Sequence, residues 1–60
     1  MQFIKLPEVI KLTGLSRSSI YRGMRQGVFP STIQISTRAV AWNKEAIQQW
    51  MQDCVEHSAQ

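Results

Sequence analysis

Arg17, Ser18, Tyr21, Arg22 and Arg25 fall within nine consecutive residues, and at 3.6 residues per turn they gather on one side of a helix. Arginine presents a planar fork of donors that matches guanine O6 and N7, or a phosphate, in two parallel hydrogen bonds. Serine hydroxyls and free amides at a helix N-terminus suit phosphate oxygens, so Ser16, Ser18 and Ser19 extend the same chemistry toward the backbone of a nucleic acid. Ser16 has a second role as the helix cap. Tyr21 has two readings: its ring packs on a sugar with the hydroxyl on a phosphate, or it covers part of the core. Arg38, farther along, would neutralise a backbone phosphate, enter a narrow minor groove, or stand as an ordinary exposed turn residue.

Other chemistry has little to work with. The single histidine, His57, lies near the end of the chain, and Glu45, Asp53 and Glu56 are spaced as solvated acids of one helix. One cysteine and one histidine cannot make a metal ligand set. We therefore expect no enzyme activity, no cofactor, no metal and no small-molecule ligand.

The elements that position the arginines are written in local signals. Phe3-Ile4-Lys5 is long enough only for a tether strand, and Leu6-Pro7 then opens a helix, because proline in the first turn loses no needed N–H. Leu6, Val9, Ile10 and Thr13 share one face, and Gly14 ends the helix in left-handed geometry. Leu15 followed by Ser16 starts a second helix, which should reach Gln26 with Gly27 beyond its end. Ile20, Gly23 and Met24 form its apolar side. Two short helices joined by a glycine-containing turn make a helix-turn-helix.

After Phe29-Pro30 the period changes to two. Ile33 and Ile35, then Val40 and Trp42, alternate with smaller or polar residues and predict a β-hairpin with its tip at Ser36-Thr37-Arg38. The tip lacks the glycine or asparagine of a two-residue hairpin turn, so a loop of three to four residues is expected. Asn43 caps a last helix in which Ala46, Ile47, Trp50, Met51 and Cys54 recur at three- and four-residue spacing. Phe29, Trp42 and Trp50 with Ile33, Ile35 and Val40 are expected to form the core, and Cys54 to be a buried thiol. The predicted fold is mainly α with a small β-hairpin, a winged helix-turn-helix. Residues 1–55 make the domain and residues 56–60 a flexible tail.

Composition agrees. The chain has 60 residues, 43% of them hydrophobic and 18% charged, which is a globular balance. Seven Lys and Arg against four Asp and Glu give a net charge of +3, and the pI near 9.6 is in the range of nucleic-acid-binding domains. A lone cysteine gives no internal disulfide, no apolar segment approaches the roughly 20 residues of a membrane span, and a cytoplasmic location is expected. Double-stranded DNA is the expected partner. Because one small head reads few base pairs, a second copy on an adjacent site is expected as well.

These motifs carry a resemblance. Leu6-Pro7-Glu8-Val9, the run from Thr13 to Arg22, Gly27-Val28-Phe29-Pro30, Arg38-Ala39-Val40-Ala41-Trp42 and Ile47-Gln48-Gln49-Trp50 resemble the AlpA family of small prophage-type regulators, relatives of excisionase and MerR-like winged helix-turn-helix domains. The resemblance implies a sequence-specific DNA-binding transcriptional regulator of a prophage or mobile element, with Arg17, Ser18, Tyr21, Arg22 and Arg25 in the major groove and Arg38 on the wing. Where many relatives carry glycine before the wing arginine and before the tryptophan, this chain has Thr37 and Ala41. Two alternatives stand beside the implied role: an excisionase-like recombination directionality factor, and a protein-interaction module such as a small antirepressor.

Overall fold

The structure, a computed structural model, describes residues 1–58. In chain order it runs β1 (Phe3–Ile4), α1 (Leu6–Thr13), α2 (Arg17–Gln26), β2 (Ile33–Ser36), β3 (Ala39–Asn43) and α3 (Lys44–Ser58). This is a small winged helix-turn-helix.

The turn between α1 and α2 follows from three residues. Gly14 adopts φ 73° and its N–H returns to Ile10 O at 2.8 Å, closing α1 in left-handed geometry that costs glycine little. Ser16 stays extended and its hydroxyl accepts the Ser19 amide at 3.2 Å, opening α2. Between them Leu15 packs half-buried against the core. Gly27, φ 76°, ends α2 as Gly14 ends α1.

The core is made where these helices meet the sheet. Ile4, Val9, Ile20, Phe29, Trp42 and Ile47 are buried together, with Leu6, Ile10, Leu12, Met24, Trp50 and Met51 packed around them. Phe29 meets the Trp50 ring edge-on at a centroid distance of 4.9 Å, the arrangement that the aromatic quadrupole favours. The two indoles also hold the segment after α2: Trp42 Nε1–H donates to Pro30 O at 3.0 Å and Trp50 Nε1–H to Val28 O at 2.8 Å. In a domain this small such anchors matter, because little apolar surface is available to bury.

The sheet is larger than a hairpin. β1 pairs antiparallel with β3, Phe3 opposite Asn43 and Ile4 opposite Trp42, so that the strand order is β1-β3-β2. The wing turn is tighter than its residues suggest: Ser36 pairs with Ala39, leaving only Thr37 and Arg38 to close the hairpin, neither at positive φ. β2 spends two steps, from Gln34 to Ser36, where β3 spends one, from Val40 to Ala39. That extra residue supplies the local twist that a glycine-containing turn would otherwise provide.

Two expectations about burial are corrected. Ile33, Ile35 and Val40 are 38, 42 and 44% exposed, since the hairpin reaches past the helices that would have covered it. Cys54 is exposed, because α3 outruns the core after Met51. The helix also continues beyond Val55 to Ser58, with nothing in Glu56-His57-Ser58 to break it and with Gln49 Nε2 donating to Asp53 Oδ1 at 2.9 Å one turn earlier. The part of the expected tail at 59–60 lies outside the described residues.

Candidate nucleic-acid interface

α2 is built to bury one side and present the other. Ile20 and Gly23 are buried, and Met24 is half-buried beside them. Arg17, Ser18, Tyr21, Arg22 and Arg25 are all exposed, across an arc of about 140° at 100° per residue. Tyr21, at 38% exposure, is partly covered by the protein and partly in solvent.

The first turn of α2 carries no acidic residue. Among the described residues, none of the four arginines, Arg17, Arg22, Arg25 and Arg38, forms an ion pair. Their charge therefore faces solvent uncompensated, which is the arrangement that attracts a polyanion.

Three of the α2 site residues form a chain of contacts. Ser16 Oγ donates to Ser19 Oγ at 3.0 Å while accepting the Ser19 amide, and Arg22 Nη2 reaches Ser19 Oγ at 3.5 Å. Ser16 is thus engaged chiefly as the cap, and half-buried Ser19 as a hub between cap and guanidinium. The cap takes the Ser19 amide and Ser16 O takes that of Ile20 at 3.0 Å, leaving the Arg17 and Ser18 N–H groups to an outside acceptor.

Arg38 is exposed on a separate element, the turn of the wing. Gln34 Nε2 spans that turn to Thr37 O at 3.5 Å. Sequence reasoning missed one contact here: the Lys5 ammonium donates to Val40 O of β3 at 3.3 Å. The partners are 35 residues apart, and no local pattern signals such a bond.

Among the described residues there is no group of three or more His, Cys, Asp or Glu placed to hold a metal, and no helix long and apolar enough to cross a membrane. His57 and Asp53 meet only through the His57 ring Nδ1 and the Asp53 carbonyl, 2.7 Å apart within the last turns of α3.

The fold and this exposed basic helix define a small winged helix-turn-helix protein. The model of the family "Prophage CP4-57 regulatory protein (AlpA)" matches residues 2–55, and the chain belongs to that family. It is also 42% identical over 50 residues to the uncharacterized protein ORF88 of Enterobacteria phage P4; the match covers 83% of this chain and 57% of that protein, so the chain spans little more than half of its relative's length.

Proposed function

We propose that the chain is a sequence-specific DNA-binding transcriptional regulator of a prophage or mobile element, with α2 in the major groove and the wing against the backbone or minor groove. The observation that carries this reading is the exposed, acid-free face of α2, on which Arg17, Arg22 and Arg25 stand without ion-pair partners among the described residues. Arg22 and Arg17 supply the forks that read base edges, and Ser18 with the free amides of the first turn binds phosphate. Tyr21 packs on a sugar, and Arg38 on the wing neutralises a phosphate or enters the minor groove. The family's regulatory character and the phage relative support the mobile-element setting.

The test is a fluorescence-anisotropy titration of wild type and Arg22→Ala on duplexes from around the chain's own gene and the nearest integrase gene, at several salt concentrations. Binding should be selective, should fall with a log–log slope of about −0.9 per phosphate neutralised, and should weaken about tenfold or more in Arg22→Ala. Affinity no better than for random duplex, or flat salt dependence, would overturn the reading in favour of a protein partner.

A further inference from the structure

The wing is held to the body of the domain by few contacts, and their order along β3 is informative. At its base, Lys44 N–H donates to Gln2 O at 2.7 Å and β1 pairs through Phe3–Asn43 and Ile4–Trp42. Trp42 Nε1 ties the strand to Pro30. The β1–β3 pairing stops at Trp42, and beyond it the hairpin side chains Ile33, Ile35 and Val40 are 38, 42 and 44% exposed and lie outside the buried core. The Lys5 bond to Val40 O is the outermost of these ties to the body, two residues from Arg38.

Lys5 is also the residue from which α1 starts. Its carbonyl accepts the Val9 amide at 3.0 Å, and its side chain makes no capping bond to the helix. One residue therefore grips the first helix of the helix-turn-helix with its backbone and the wing strand with its ammonium. Because Ile33, Ile35 and Val40 lie outside the core, the outermost tie is the one placed to set the direction of the hairpin, and α1 leads through Gly14-Leu15-Ser16 into α2.

We infer that Lys5 is a positioning residue that sets the direction of the wing relative to the helix-turn-helix, so that Arg38 and the α2 arginines engage one DNA duplex together. This role rests on the DNA-binding reading above. Lys5 acts through Val40 and Arg38 and itself touches no base or phosphate.

Lys5→Met keeps the length of the stem and removes the donor, whereas Lys5→Arg keeps a donor. In the DNA-free protein, the heteronuclear 15N NOE of the Thr37, Arg38, Ala39 and Val40 amides should fall in Lys5→Met and return in Lys5→Arg, with α1 and α2 unchanged. On DNA, Lys5→Met should bind about three- to tenfold more weakly, and should cost nothing further in an Arg38→Ala background. Wing NOE values unaltered in Lys5→Met would overturn the inference while leaving the DNA reading intact. An affinity loss that persists in Arg38→Ala would make Lys5 a direct phosphate contact and overturn it too. A wild type that binds no duplex selectively would overturn the aiming role together with the DNA reading, the NOE change then reporting only a structural strap.

Discussion

A side chain added at Gly23 would begin 2.9 Å from the Cβ of Phe29, closer than two carbons can approach without movement. The contact exists because the chain turns back as α2 ends: the Val28 and Phe29 amides both donate to Gly23 O, at 2.9 and 3.2 Å, and this brings Phe29 against the buried side of the helix. Phe29 in turn meets Trp50 of α3, so displacing it disturbs two helices.

Gly23→Ala is therefore expected to destabilise the domain, although alanine is the better helix former by about 1 kcal/mol. Overpacking costs about 1–3 kcal/mol, leaving a net loss of up to about 2 kcal/mol and a Tm lower by as much as roughly 16 °C for a domain of this size. Thermal unfolding followed by circular dichroism checks it. A rise in Tm would mean that Phe29 gives way freely and that α2 is not pinned at Gly23.

The two indole donors differ in what surrounds them, and their substitutions should separate. Trp42 is 1% exposed, and Trp42→Phe would leave Pro30 O without its partner and open a void; we expect a loss of about 2–4 kcal/mol. The Trp50 bond to Val28 O lies at the surface, where water replaces the donor, so Trp50→Phe should cost about 1 kcal/mol or less. Urea denaturation of both variants measures the difference. Equal losses would show that the Pro30 carbonyl finds another donor.

Helix boundaries proved legible wherever a local signal specifies them. Gly14 and Gly27 both take positive φ, Ser16 caps α2, and the Glu45 amide donates to Asn43 Oδ1 at 3.1 Å, so α1, α2 and the start of α3 fall where the residues predict. The exposed face of α2 was legible for the same reason, since a helix of known start has known faces. Burial in the wing was not. Alternation in Ile33–Ile35 shows that the strand has two faces but not whether a helix reaches far enough to cover either. The β1–β3 pairing and the Lys5–Val40 bond join residues far apart in the chain, and a two-residue strand carries no pattern of its own. At the far end of α3 the stripe of Met51, Cys54 and Val55 continues the helical period past the body it packs on, so periodicity overstated the core there.

Because Ile33 and Ile35 are partly exposed and lie outside the buried core, replacing them should cost little. Ile33→Thr and Ile35→Thr keep β-branching and are each expected to change stability by no more than about 0.5 kcal/mol. An equilibrium denaturant series would show this, and a loss above about 2 kcal/mol for either would mean that the wing folds back onto an apolar surface in solution.

Ser16 gives the sharpest separation between holding the helix and touching DNA. Its hydroxyl accepts the Ser19 amide, so Ser16→Ala should cost about 1 kcal/mol of stability. Aspartate caps as well as serine and also favours the positive end of the helix dipole. Ser16→Asp should therefore unfold at or above the wild-type temperature. On DNA the same carboxylate would stand at the N-terminus of the reading helix, where a phosphate is expected, and would repel it. Ser16→Asp should then bind duplex more weakly than Ser16→Ala despite being the more stable of the two, with the gap narrowing as salt screens the repulsion. Parallel thermal melts and anisotropy titrations decide the matter: if affinity follows stability across the pair, the N-terminus of α2 does not face the phosphate backbone.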